Sequence, residues 1–353
     1  MTHTKVIKED PEHPKDHPLI DAAHIIKKGG LVIIPTETVY GIAANMLDDA
    51  AIKRLVELKG RPADKPFSLH IADKSKVEDF ALRISLGAYK LIDKFWPGPL
   101  TLVFQSIKGG TIGIRMPDDL IALSVIKHAE VPVVCPSANI SGKESPKNFQ
   151  EAVKDLDGKV DLAIDGGPTR LQAESSVVDV SKGELKILRE GALKKEDIEK
   201  AFNTKQVLFI CTGNSCRSVM AEMMLRKVLK EKNKSGIEVS SAGTMMLTGI
   251  GVSSGSREVL AREGLDASGH FSQRLTKEMA RRSDLILVME RMHEEAVLRV
   301  APDVKNRLFL LKEFAKIDDR DLNIPDPIGR SQDFYDKVGA VIKEAVERVS
   351  NIL

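Results

Sequence analysis

The stretch Val207–Ser218, VLFICTGNSCRS, constrains the fold of this chain more than any other. Val207–Ile210 is a short apolar run of the kind a buried parallel strand needs. It stops at Cys211, and Thr212, Gly213, Asn214, Ser215 and Cys216 separate that cysteine from Arg217. Met220, Met223, Met224 and Val228 then recur three to four apart, which predicts a helix. Strand, tight loop and helix start thus follow one another directly. Such a loop turns successive backbone N–H groups inward, and the helix N-terminus adds positive partial charge, so an anion sits well in the cradle. A thiolate at Cys211 can attack a phosphate ester there, while the Arg217 fork grips two of its oxygens. Ser218 can hydrogen-bond that thiolate, and Asn214 can brace the loop.

A chain of 353 residues is long enough for two domains. With 42% hydrophobic and 29% charged residues it should pack as a soluble protein. A net charge of +2 leaves no basic arm for nucleic acid, so any RNA contact must come from a local patch. Three cysteines, Cys135, Cys211 and Cys216, make no disulfide framework, and a thiolate nucleophile needs reducing surroundings; both point to the cytoplasm. No apolar run approaches a membrane span, and MTHTKVIKED has no apolar core of a signal peptide, so no membrane association is expected. His3, His13 and His17 lie beside acids in a polar, proline-containing stretch; with no fixed ligand spacing they read as solvated, and no metal site is expected.

From about Gln206 to the C-terminus the chain resembles the low-molecular-weight protein tyrosine phosphatase family. Besides the Cys211 loop, Ser240-Ser241-Ala242-Gly243-Thr244 is similar to the family's Ser-Ala-Gly strand end. Pro325-Asp326-Pro327 is similar to the loop that carries its general acid. The resemblance implies Cys211 as nucleophile, Arg217 as phosphate clamp and Asp326 as acid and then base, with no cofactor. In tyrosine-specific relatives a bulky aliphatic residue holds the position of Ser215, and two aromatics follow Asp-Pro. Here Ser215 is small, and the acid loop continues Ile328-Gly329. Both features make this half similar to the protein-arginine phosphatase branch. Phosphoarginine is therefore the expected substrate, with a plain tyrosine phosphatase as the alternative.

The first half alternates strands and helices. Leu31–Ile34 reads as a strand stopped by Pro35, with Thr36, Glu37, Thr38 and Tyr40 placed where ligands gather in α/β sheets. Asp48–Lys59 reads as a helix closed by Gly60-Arg61-Pro62, with Lys59, Arg61 and Lys65 gathering positive charge behind it. Lys74–Leu82 and Asn148–Leu156 read as further helices, and Ser137-Ala138-Asn139 follows a strand. At Pro35–Gly41, Lys59–Pro62 and Ser137–Asn139 the first half resembles the YrdC family of threonylcarbamoyl-AMP synthases. The resemblance implies a twisted α/β sheet that makes L-threonylcarbamoyladenylate from threonine, bicarbonate and ATP and releases pyrophosphate, for threonylcarbamoyl modification of tRNA. It sets threonine against Thr38, His70, Arg115 and Ser175. It sets ATP, with Mg²⁺, against Lys59, Arg61, Lys65, Thr111, Ser137, Asn139, Ser145 and Arg189.

The expectation is therefore an α/β chain of two domains. Residues 1–203 form a YrdC-like synthase, and residues 204–353 form a doubly wound parallel-sheet phosphatase acting on phosphoproteins. The main alternative for the first half is a non-catalytic module that binds double-stranded RNA, and tRNA or its modification machinery is an expected partner.

Overall fold

The computed structural model describes residues 4–60, 67–246 and 248–353. The chain divides into two compact units, Met1–Phe202 and Asn203–Leu353.

Among its described residues the first unit builds an 11-stranded mixed sheet. Val32–Ile34 runs up to Pro35, and Gly41–Asn45 returns antiparallel beside it, so Thr36–Tyr40 form a buried tip. That return strand pairs in turn with Val133–Val134, which leads into Ser137–Asn139. Leu69–His70 lies parallel to Thr111–Arg115, with His70 opposite Arg115. Leu100–Ser106 pairs antiparallel with Thr111–Arg115 on one side and parallel with Ser176–Asp179 on the other. Alternate residues serve different cores. Val32 and Ile34 pack with helices Asp16–Lys27 and Leu120–Ala129, whereas Leu31 and Ile33 face Leu55 and Leu156. Gly41 has no room for a side chain, since a Cβ there would stand 2.4 Å from Cys135 Sγ.

Two local expectations need correction. The segment 74–82 is not one α-helix: Lys74–Asp79 is a 3₁₀ turn and Ala81–Leu82 a short strand on Leu100–Ser106. Its apolar residues are too few to cover a helical face, and the edge of the sheet takes the backbone instead. The helix after Asn148 spans only Phe149–Val153, capped by the Asn148 side chain on Glu151 N–H.

Among its described residues the second unit builds a four-stranded parallel sheet in the order Ile237–Gly243, Lys205–Cys211, Leu285–Val288, Leu308–Leu310. The chain leaves Lys205–Cys211 first to one side and then to the other, so the end of that strand is the switch point where α/β sheets bind ligands. Val207, Phe209 and Cys211 face the core shared with helices Arg217–Glu231 and Gln332–Ile352; Leu208 and Ile210 face that of Met279 and Val297. The Ser-Ala-Gly segment acquires a physical reason here. A Cβ on Gly243 would lie 2.8 Å from Thr212 O and 3.0 Å from Asn214 N, both backbone atoms. Gly243→Ala should therefore displace the Cys211 loop and lower stability by about 1–3 kcal/mol, read as the loss in urea denaturation of the full chain. An unchanged midpoint would mean that the loop shifts freely.

Candidate active sites

Cys211 ends its strand, and Cys216 is the N-cap of helix Arg217–Glu231 with no side chain closing that helix end. The first N–H groups of the helix are thus left to face an anion. Asn214, fully buried with φ +53°, holds the turn from inside. Its side-chain amide donates to Ser241 Oγ at 2.7 Å and to Ser218 Oγ at 3.0 Å, and its Oδ1 accepts from Gln273 N–H at 2.9 Å. With Asn214 donating to it, Ser218 is left to donate its own proton to Cys211 Sγ, 3.0 Å away. Asn214 N–H is directed at the same sulfur from 3.3 Å. Ser241 in turn donates to Glu222 at 2.5 Å, and Glu222 pairs with Arg226 at 2.6 Å.

Arg217 is fully buried. Its Nη1 donates to Glu290 Oε2 at 2.5 Å and to Ile324 O at 2.8 Å. Its Nη2 donates to Thr212 Oγ1 at 3.1 Å and closely to Asp326 Oδ2. Among the described residues, its Nε–H has no acceptor. Asp326 is braced by Ile328 N–H on its other oxygen, at 3.1 Å. A cavity of about 190 Å³ opens over Cys211, Thr212, Gly213, Ser215, Cys216, Arg217 and Asp326, with Met245 and Ile328 as apolar walls. A nucleophile, a clamp with an unclaimed donor and a carboxylate that can reach a leaving group therefore share one small cavity. Three residues that the sequence did not mark support it. Glu290 pairs with Arg217, His293 reaches Thr212 Oγ1 at 2.9 Å, and His270, which reads as an ordinary loop residue, donates Nε2–H to Asn214 O at 2.9 Å. Burial first, and the charge of Arg217 second, bring the His293 imidazole down to about 4.

In the first unit a cavity of about 420 Å³ gathers His70, Thr111, Arg115, Ser137, Ser175 and Arg189. His70 Nδ1 lies 3.4 Å from Ser68 O, which leaves Nε2 as an acceptor; burial, and then Arg115, depress its pKa to about 3. Arg115 is buried against Glu37 at 2.6 Å and donates Nε–H to Gly98 O at 3.2 Å. Arg189 donates to Ser175 O at 2.9 Å and pairs with Glu174, which also accepts from Ser145. Thr38 is in the buried tip and does not line the cavity; it is bonded to Thr36 Oγ1 at 2.8 Å, and its carbonyl accepts from Thr169 at 2.8 Å. Lys59, an expected phosphate ligand, is buried and donates to Ser137 O and Asn139 O, both at 2.6 Å; its charge secures that loop. Burial pushes the Cys135 thiol in the cavity wall up to about 12. Arg61 and Lys65 lie outside the described residues, as does His3. His13 and His17 are exposed, each near a single aspartate, and among the described residues no cluster of His, Cys, Asp or Glu can hold a metal. Nor is any described helix long and apolar enough to cross a membrane.

Residues 24–191 match the Sua5/YciO/YrdC family model, described as telomere recombination, and residues 206–353 match that of the low molecular weight phosphotyrosine protein phosphatases. The threonylcarbamoyl-AMP synthase of Pyrococcus abyssi is 44% identical over 212 residues, covering 58% of this chain and 62% of that protein. The crystal structure of P. abyssi Sua5 complexed with L-threonine aligns over 87% of this chain and 99% of its own, with 30% identity and a TM-score of 0.54. The YwlE arginine phosphatase of Geobacillus stearothermophilus aligns at 31% identity over 42% of this chain and 92% of its own, with a TM-score of 0.38. Two enzyme families meet in one polypeptide: the chain belongs to the Sua5/YciO/YrdC family through its first unit and to the low-molecular-weight phosphatase family through its second. It spans about three fifths of the length of the P. abyssi synthase.

Lys59→Met should loosen the Ser137–Asn139 loop by leaving two half-buried carbonyls without their donor, at a cost of about 1–3 kcal/mol. Faster amide exchange at Ala138 and Ser141 would report it; unchanged exchange would free Lys59 from this role.

Proposed function

We propose that the chain is a bifunctional enzyme, with a threonylcarbamoyl-AMP synthase in its first unit and a protein phosphatase in its second. The observation that carries the phosphatase reading is the buried Arg217, with one unclaimed N–H, sharing a cavity with Cys211 and Asp326. An incoming phosphoryl group gives Arg217 an anionic partner in place of Asp326, which frees the carboxyl group to act. Cys211 attacks phosphorus, Asp326 protonates the leaving group, and Asp326 then takes a proton from the water that opens the phosphocysteine. The loop N–H groups and Arg217 stabilise charge on the transferring group. Such chemistry needs Cys211 reduced, which suits a reducing compartment, and the cytoplasm is the setting proposed.

Phosphoarginine is the substrate proposed for this half, ahead of phosphotyrosine. Ser215 sets a hydroxyl on the wall of the cavity where a bulky aliphatic would favour a phenyl ring, and a donor-rich guanidinium suits Ser215 and Asp326. Met245 and Ile328 can flank either planar group.

The synthase reading is supported by a cavity that gathers an arginine, an imidazole acceptor and a hydroxyl together with Arg189, Thr111 and Ser137. Arg115 pairs with the threonine carboxylate, and Ser175 or Thr38 bonds its hydroxyl. The threonine carbamate formed with bicarbonate attacks the α-phosphate of ATP and pyrophosphate leaves, so this half works by positioning and charge. Lys59, Arg61, Lys65, Asn139 and Ser145 complete the proposed nucleotide site. The described lining of the cavity holds one carboxylate, Glu174, already engaged by Arg189 and Ser145, so Mg²⁺ is proposed to be held chiefly by the nucleotide's own phosphates. The adenylate would serve tRNA modification, with tRNA or its modifying machinery as partner.

Pyrophosphate release should require threonine and bicarbonate together. Arg189→Ala should raise KM for ATP about tenfold or more and leave phosphatase turnover unchanged; release without threonine would overturn the synthase reading. Cys211→Ser should abolish phosphatase turnover, and Asp326→Ala should slow it by about two to four powers of ten for poor leaving groups. Ser215→Ile should shift the ratio of kcat/KM toward phosphotyrosine. A wild type that already prefers phosphotyrosine, with a ratio indifferent to this change, would rule out phosphoarginine.

A further inference from the structure

His293 is fully buried on the first turn of helix Arg291–Val300, behind the Cys211 loop, and both of its ring nitrogens are engaged. Glu290 N–H points at Nδ1 from 3.1 Å. A backbone N–H can only donate, so Nδ1 carries no proton, and the proton of the neutral ring sits on Nε2. Nε2–H therefore donates to Thr212 Oγ1 at 2.9 Å. The same oxygen accepts from Arg217 Nη2 at 3.1 Å. Both lone pairs of the hydroxyl are then occupied, and among the described residues its own proton has no acceptor. Thr212 lines the cavity that holds Cys211, Arg217 and Asp326.

We propose that His293 is a positioning residue of the phosphatase site: it fixes the Thr212 hydroxyl so that this oxygen orients Arg217 and its proton is offered to an oxygen of the transferring phosphoryl group. The ring is suited to this because it stays neutral. A proton on Nδ1 would oppose Glu290 N–H, and the neighbouring Arg217 charge disfavours a second cation. Thr212 thereby adds one side-chain donor to the backbone cradle, and this donor is set by a residue that touches no substrate. The inference rests on the phosphatase reading above.

The two nitrogens of the ring can be replaced one at a time. In His293→Asn, Oδ1 stands as many bonds from Cβ as Nδ1 does and can still accept from Glu290 N–H, but no donor reaches Thr212. In His293→Gln, the amide N–H stands as many bonds from Cβ as Nε2 does and can still reach Thr212. The full chain is assayed for kcat and KM with p-nitrophenyl phosphate, alongside its thermal unfolding. Thr212→Val should lower kcat about ten- to a hundredfold, the range for one donor to a charged group. His293→Asn should fall by a similar factor without a matching loss of thermal stability, and His293→Gln should fall less. The double variant His293→Asn/Thr212→Val should be no worse than Thr212→Val alone, since both changes remove one device. His293→Asn at wild-type kcat, or a double variant whose losses multiply, would overturn the proposal and leave the phosphatase reading intact. A wild type that releases no nitrophenol, or releases as much as Cys211→Ser, would overturn both.

Discussion

A guanidinium with no exposed surface stands at the centre of the second unit. Taking that charge out of water costs on the order of several kcal/mol, and good geometry with further hydrogen bonds must offset it. Arg217 meets this condition through four oxygens on three segments: Thr212 in the loop, Glu290 after the third strand, and Ile324 and Asp326 on the acid loop. Each of those segments is thereby held against the same point. The arrangement is stable as it stands and is open to an anion, because among the described residues Nε–H has no acceptor and no side chain caps the helix end behind Cys211.

Precision at Cys211 depends on a second network behind the loop. Arg226, Glu222, Ser241, Asn214 and Ser218 form a chain of ion pair and hydrogen bonds that ends at the sulfur. Asn214 sits at positive φ and is held by its own side chain, while Gly243 lets the next strand pass against the backbone of the loop. A buried chain of this kind is rigid only when each member is satisfied, so every hydrogen bond along it helps to fix the sulfur.

The first unit uses buried charge differently. Lys59 gives its ammonium to loop carbonyls, and Arg115 faces Glu37, so two of the cations that the sequence offers for phosphate and substrate also hold the walls of the cavity. Arg189 is more exposed and shares Glu174 with Ser145.

The twelve residues from Val207 to Ser218 determine strand, loop and helix by themselves, because an apolar run, a glycine-containing turn and helical periodicity are local properties of the chain. The same local logic reaches Gly60 as the left-handed end of helix Asp49–Lys59, and fails at 74–82, where the sheet edge claims a backbone that the sequence leaves ambiguous. The return strand Gly41–Asn45 is likewise chosen by its neighbours, since Val32–Ile34 and Val133–Val134 supply the hydrogen bonds on its two sides. What tertiary structure alone decided is which polar groups meet. Glu290 and His293 lie more than seventy residues from Arg217 and Thr212, and so does Glu37 from Arg115. Nothing in the local sequence marks Glu290 or His293, or pairs Glu37 with Arg115, because the cost of a buried charge or an unpaired hydroxyl, which selects their partners, arises only once the chain has closed around it.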